Sequence, residues 1–239
     1  MNSLSHRSLV PEILDGLAAD DPRARASRHD LRRINALMFQ APIMASLLRK
    51  FVPTPPRRIL EIGAGDGTSM LAVARRIARH WPEVELTLLD RVGLVTTELS
   101  AEFDRLGWAV EGITADVFDW MERTDGRGFD AITVNLFLHH FDDAELVRLF
   151  LLLAPKAPLL LAIEPQRAMS ALAAARLLLA IGANDVTRHD AAQSVRAGFR
   201  GRELSALWLA ANGKSLRERR VGPFSHVFVG ASTNAGSDP

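Results

Sequence analysis

The chain has 239 residues, 48% hydrophobic and 24% charged, with a formal net charge of +1, no cysteine and no tyrosine. That length suits one α/β domain burying roughly 70–75% of its unfolded surface without staples. Lack of cysteine excludes disulfides, thiolate zinc sites and thiol nucleophiles, and the balanced charge leaves no electrostatic footprint for nucleic acid.

The first residues carry no apolar signal core, and Glu12, Asp15, Asp20, Asp21 and Asp30 argue against a transit peptide. The most apolar stretch, Leu146 to Ile163, is broken by Arg148, Pro155, Lys156 and Pro158, and Ala171 to Ile181 is short and carries Arg176. A spanning helix needs about 20 apolar residues. The reading is a soluble, cytoplasmic protein with no membrane partner.

Helical periodicity runs from Leu31 to Phe51, with Pro42 placed in the first turn of a second helix. Prolines 53, 55 and 56 then make a stiff linker. Beyond it, strand-like and helix-like runs alternate. "RILEI", "EVELTLLD", "AVEGITAD", "FDAITVNLF" and "APLLLAIE" read as strands, and "SMLAVARRIARH", "VTTELSAEFDRLG" and "DDAELVRLFLLLA" as helices. Asp142 and Glu145 have the spacing of a capping box. Such alternation predicts right-handed βαβ units and a mostly parallel sheet. From Arg167 to Phe199 two helical segments follow without a strand, the second starting at "TRHD" with Thr187 and Asp190 as cap residues. "GRELSALWLAANG" reads as a helix stopped by its final glycine, and "SLRERRV" and "FSHVFVGA" as a closing hairpin. The expected fold is therefore α/β and Rossmann-like: a seven-stranded, mostly parallel sheet with an antiparallel closing hairpin, helices on both faces and a helical cap. Residues 1–56 form the N-terminal part of that cap, and residues 57–239 the main domain with a helical insertion at 167–199.

The chemistry concentrates in "EIGAGDGTS", Glu61 to Ser69. Glycines at 63, 65 and 67 permit positive φ and close approach to the backbone, and the helix that follows presents unpaired N–H groups. A phosphate-binding P-loop requires a GK[ST] ending, absent here. A dinucleotide fingerprint requires G-x-G-x-x-G, but the spacing is G-x-G-x-G with Thr68 at the third position. A glycine-rich turn without a ligand is the bland alternative. Asp90 ends the second strand, 27 residues after Gly63, and can serve a ribose or simply form a turn. Asp116 ends the third strand, beside Val117, and can bind a ligand or cap the next helix.

These three strand ends resemble the motifs of class I S-adenosylmethionine-dependent methyltransferases over about Arg57 to Glu164. The resemblance implies S-adenosyl-L-methionine as cofactor. It implies contacts from Glu61, Gly63, Ala64, Gly65 and Gly67 at the methionine end, from Asp90 and Arg91 at the ribose, from Asp116 and Val117 at the adenine, and from Asn135 beside the methyl group. The fourth-strand loop, Asn135 to Phe141, lacks the Asn/Asp-Pro-Pro-aromatic pattern of DNA amino-methyltransferases. Asn135 also stands where magnesium-dependent catechol-type enzymes carry an aspartate, so no metal is expected.

Small-molecule members of this family build the acceptor pocket from an N-terminal helical segment and an insertion after the fifth strand. The counterparts here are apolar, with Met38, Phe39, Ile43, Met44, Met169, Leu172 and Phe199, implying a small hydrophobic acceptor unless these residues only pack on the sheet. "TRHDAAQSVRAGFRGRELSALW" is similar to the cap of bacterial methyltransferases associated with type III polyketide synthases, which implies a phenolic or pyrone acceptor methylated on oxygen. His139, His140 and His189 are the candidate bases, against a purely structural role for each, and His226 reads as a satisfied sheet residue. A homodimer, methylation on carbon or nitrogen of another small metabolite, a non-catalytic cofactor-binding regulatory or scaffold protein and a nicotinamide-dependent oxidoreductase stay open, the last disfavoured by the missing tyrosine and the missing G-x-G-x-x-G.

Overall fold

A computed structural model describes residues 4–18, 20–124, 128–176 and 182–233. Seven strands form one sheet: β1 (Arg58–Ile62), β2 (Glu85–Asp90), β3 (Ala109–Thr114), β4 (Ala131–Asn135), β5 (Leu159–Pro165), β6 (Gly213–Val221) and β7 (Ser225–Ser232). Their order is β3-β2-β1-β4-β5-β7-β6. β1 to β5 pair in parallel, and β7 runs antiparallel to both β5 and β6, as the alternation and the hairpin signal predict.

The helices are α1 (Pro22–Leu37), α2 (Gln40–Phe51), α3 (Thr68–Ile77), α4 (Thr97–Asp104), α5 (Val117–Arg123), α6 (Asp143–Leu153), α7 (Met169–Arg176), α8 (Asp185–Ala197) and α9 (Glu203–Ala210). The central strands are apolar on both faces because helices cover both. Ile59, Leu161 and Ile163 meet Met44 and Leu48 of α2, Val73 and Ile77 of α3, and Phe103 of α4. The alternate positions, Leu60, Ile62, Leu160 and Ala162, pack with Met121, Leu149, Phe150 and Trp208 on the opposite side. This period-two division fixes the direction of Glu61, which shares the face of Ile59 and hence of α2.

α2 thus packs against the sheet as a layer of the core. Pro42 lies in its first turn as expected, after Phe39 in a left-handed conformation. α1 begins nine residues before Leu31, at Pro22, because Asp21 caps it by accepting from the Arg23 amide and Pro22 suits the first turn. The Asp142–Glu145 capping box forms.

Two expected helix ends differ. α8 starts at Asp185, not at Thr187, because Asn184 is the cap and accepts from the Thr187 amide. Thr187 and Asp190 therefore lie inside the helix and are buried. α9 ends at Ala210, before Asn212 with φ of 60°. Gly213 is instead the first residue of β6, where a Cβ would stand 2.0 Å from Trp208 Nε1. That glycine admits the indole rather than stopping the helix. Residues 177–181 of the predicted insertion lie outside the described residues. Among the described residues no helix is long and apolar enough to cross a membrane.

Candidate active site

The strand order reverses between β1 and β4, so their carboxyl ends open a crevice of the kind where open α/β sheets bind ligands. The β1–α3 turn occupies that edge. Gly63 and Ala64 donate their amides to Leu89 O at 2.9 and 3.1 Å. Gly63, Gly65 and Gly67 have φ of 68°, 57° and 75°. A Cβ on Gly63 would strike the Phe137 ring at 2.4 Å, and one on Gly67 would strike Leu99 at 2.6 Å. Around Gly65, nothing lies within 4 Å of where a Cβ would be. The outer two glycines serve packing, whereas the middle one faces open space.

Asp90 ends β2 and holds this turn. Its Oδ2 accepts from Gly65 N at 2.8 Å and its Oδ1 from Val92 N at 2.9 Å. Each oxygen keeps a further lone pair, so the carboxylate that shapes the turn can also accept from a ligand hydroxyl. Asp116 caps α5, its Oδ1 accepting from Phe118 N at 2.8 Å and Asp119 N at 3.3 Å. Val117 beside it is buried, while Arg91 is exposed at the end of β2.

Glu61 is fully buried between β1 and α2 and accepts from Thr133 Oγ1. Burial, only partly offset by that hydroxyl, pushes its pKa up to about 7. It lines a small cavity with Gln40, Met44, Ser69, Met70 and Asn135. Gln40 Nε2 donates to Ser225 Oγ at 3.4 Å, which leaves Gln40 Oε1 buried without a donor. Asn135 Oδ1 is also buried without one. Two orphaned carbonyl oxygens beside a carboxyl group make a pocket rich in acceptors and short of donors. Such a set fits an ammonium group, which has three donors and no acceptor. With the open approach at Gly65, this is where the amino-acid end of S-adenosylmethionine can be held.

The loop after β4 is organised from β5. Glu164, fully buried, accepts from the amides of Phe137 (3.0 Å), Leu138 (2.8 Å) and His139 (3.3 Å), and pairs with His139 Nδ1 at 2.7 Å. These bonds wind Leu138–His140 into a 3₁₀ turn. Leu136 enters it with φ of 55°, a left-handed strain that Leu136 N→Ile163 O (2.8 Å) helps hold.

The two histidines diverge. His139 is buried, with Nε2 3.6 Å from Glu12. Burial opposes its charge, but Glu12 and Glu164 outweigh burial and push its pKa up to about 9. The two carboxylates favour the imidazolium form of His139, which spans them. His140 keeps 29% of its side chain exposed, near Glu12 (3.8 Å) and Asp15 (3.7 Å). Burial, then the charge on His139, hold its pKa below the usual histidine value. His189 sits on α8 with 43% of its side chain exposed and pairs with Asp190 at 3.0 Å.

Glu12 and Asp15 belong to an N-terminal strap. Arg7 bonds Ala197 O and Phe141 O, pairs with Asp143 at 2.8 Å and stacks over Phe199. Ser8 N reaches Arg196 O. Asp190 accepts from Ile13 N and Leu14 N at 2.9 and 3.0 Å. The strap thus lies on α8 and delivers two carboxylates to the histidine turn.

Sequence reasoning missed Glu12, Asp15, Glu164 and Asp190. Only Glu164 carried a local signal, as an acid inside the apolar run "LLLAIEP". Of the residues expected to line the acceptor pocket, Met44, Leu172 and Phe199 are buried packing residues, whereas Phe39 and Met169 are exposed. His226 bonds Glu218 and Gln166 within the sheet, as expected.

Residues 59–155 match the family model described as a methyltransferase domain. That stretch runs from β1 to α6 and takes in the glycine turn, Asp90, Asp116 and the histidine turn. No curated protein matches the chain. Solved structures share the fold. A plantazolicin methyltransferase, BpumL, solved with S-adenosylhomocysteine, is 14% identical with a TM-score of 0.62, over 89% of this chain and 91% of its own. An O-methyltransferase family protein from Burkholderia thailandensis is 18% identical with a TM-score of 0.59, over 90% and 63%. RosA from Streptomyces davawensis, an N,N-8-amino-8-demethyl-D-riboflavin dimethyltransferase, is 18% identical with a TM-score of 0.60, over 93% and 62%. The chain therefore spans less than two thirds of the length of the latter two proteins.

Proposed function

We propose that this protein is an S-adenosylmethionine-dependent methyltransferase acting on an oxygen of a small hydrophobic, phenolic or polyketide-type acceptor. The observation that carries the cofactor assignment is the donor-poor pocket of Glu61, Gln40 and Asn135 beside the open glycine turn. In this reading Glu61 and Asn135 hold the ammonium end, Gly63, Ala64, Gly65 and Gly67 lie along the amino-acid backbone, Asp90 and Arg91 meet the ribose, and Asp116 and Val117 border the adenine. The bound cofactor supplies an electrophilic methyl group on sulfur. The protein's own part is to place an acceptor oxygen in line with that methyl, for which positioning is worth up to roughly 7–11 kcal/mol, and to remove the acceptor's proton.

His140 is the group placed to take that proton, because it alone of the turn's two imidazoles is partly open. His189 is the alternative on the opposing helix. The strap, α8 and the exposed Phe39 and Met169 supply apolar surface for the acceptor. The O-methyltransferase family fold of the Burkholderia protein supports oxygen as the target; the riboflavin-type dimethyltransferase keeps nitrogen as the second reading.

The test is transfer of labelled methyl from S-adenosylmethionine to a panel of phenols, pyrones and arylamines. The expected result is transfer to a phenolic or pyrone oxygen, with His140→Ala lowering turnover about 10²-fold or more. Transfer to nitrogen alone would overturn the acceptor assignment. No transfer to any class, despite tight S-adenosylhomocysteine binding, would favour the scaffold reading.

A further inference from the structure

Glu12, His139 and His140 each offer a ligand atom within 4.8 Å of the other two. His139 Nε2 and His140 Nε2 lie 3.6 and 3.8 Å from the same Glu12 oxygen. A carboxylate oxygen can only accept, so each of these close approaches needs a cation or a proton between its partners. A separate N–H on each ring can bridge its own pair, whereas one metal ion can serve all three atoms together. Around a tetrahedral ion with bonds of about 2.0–2.2 Å, ligand atoms stand roughly 3.3–3.6 Å apart. The two distances to Glu12, 3.6 and 3.8 Å, reach or slightly exceed the top of that range, and the two imidazole ligand atoms lie within 4.8 Å of each other.

The surroundings also have the form of a metal centre. The other nitrogen of His139 donates to Glu164 at 2.7 Å, and Glu164 in turn holds three backbone amides. Ligating histidines characteristically donate their second N–H to a carboxylate, which fixes the ring and its tautomer. Ser194 Oγ donates to the ligating oxygen of Glu12, and Asp15 stands 3.7 Å from Nδ1 of His140. Three carboxylates therefore surround two imidazoles. None of these groups is Asn135, which stands where magnesium-dependent catechol-type enzymes carry an aspartate, nor Asp142 or Asp143 of the neighbouring helix start. Asp142 caps α6 and Asp143 pairs with Arg7.

We infer that Glu12, His139 and His140 form a binding site for one divalent transition-metal ion of the zinc type. Two imidazoles and one carboxylate suit zinc, cobalt, nickel or iron rather than magnesium or calcium, which take all-oxygen sets. Three protein ligands leave a position of the ion open. Glu12 comes from the strap and the histidines from the β4 turn, so an ion here staples the N-terminal segment over the crevice. It also occupies the lone pair that His140 needs to accept a proton, so the ion-loaded and proton-accepting forms are alternative states. The site does not rest on the methyltransferase reading.

The test uses the full chain, stripped with a chelator and titrated with cobalt(II) while visible absorption is recorded. The expected result is d–d absorption that saturates at one equivalent, is displaced by zinc(II), and persists in the surface variant His80→Ala. It should fall at least tenfold in apparent affinity in both Glu12→Gln and His140→Ala. Glu12→Gln removes a ligand from the strap rather than from the core, so it keeps the test valid if the histidine variant folds poorly. No stoichiometric absorption, or absorption that survives both substitutions, would overturn the site.

Discussion

Asp90 has two duties in this structure: it closes the glycine turn through Gly65 and Val92, and it retains lone pairs toward the crevice. Asp90→Ala should weaken S-adenosylhomocysteine binding by about tenfold or more, since a hydrogen bond to a charged group contributes about 1.5–3 kcal/mol. Calorimetry checks this, and unchanged affinity removes Asp90 from the ribose. Glu61 links binding to pH. Its pKa in the folded chain, about 7, lies above the ordinary carboxyl value of 4.5. The neutral form is the one the fold tolerates, so the stability it confers is complete below about pH 4.5 and is lost as pH rises through about 7. Denaturant unfolding of the ligand-free protein should show stability falling across that window, by up to about 1.4 kcal/mol per pH unit from this group. Glu61→Gln should flatten the fall; an identical pH profile in that variant would contradict the assignment.

Elements place these residues, and the glycine turn separates packing from binding. Gly67→Ala forces a Cβ to 2.6 Å from Leu99 at positive φ, so it should cost stability by about 2–4 kcal/mol, combining left-handed strain with overpacking. Gly65→Ala meets no atom within 4 Å and should cost only about 1–2 kcal/mol while still weakening S-adenosylhomocysteine binding more than tenfold. Thermal unfolding beside calorimetry distinguishes the two effects. The strap is a second such element. Asp190→Ala removes the carboxylate that accepts the Ile13 and Leu14 amides. Hydrogen exchange should then accelerate over residues 8–16 while β1 and β4 stay protected. Equal protection of the strap in both proteins would show that other contacts hold it.

Across the whole molecule, the parallel core was legible because its signals are local. Strands such as "RILEI" and "LLLAIEP" are apolar on both faces, and helices between them keep a 3.6-residue period. The glycine turn, Asp90 and Asp116 sit at strand ends that this alternation locates. The histidine turn was legible only as a pair of residues. What separates His139 from His140 is Glu164, 25 residues away, and the Glu12 that both approach lies more than 120 residues away. The strap had no periodicity of its own, and its order comes from long-range bonds such as Arg7 to Asp143, 136 residues apart. Side chains that act through such distant partners carry no pattern in a single sequence, whereas caps such as Asp142 with Glu145 do.

Every role proposed for the site depends on the crevice at the carboxyl ends of β1, β2 and β4 taking S-adenosylmethionine and not a nicotinamide dinucleotide. Isothermal titration of the full chain with S-adenosylhomocysteine, and separately with NADH, tests it most directly. The expected result is one equivalent of S-adenosylhomocysteine bound and no saturable heat from NADH. Saturable NADH binding with no heat from S-adenosylhomocysteine would contradict it.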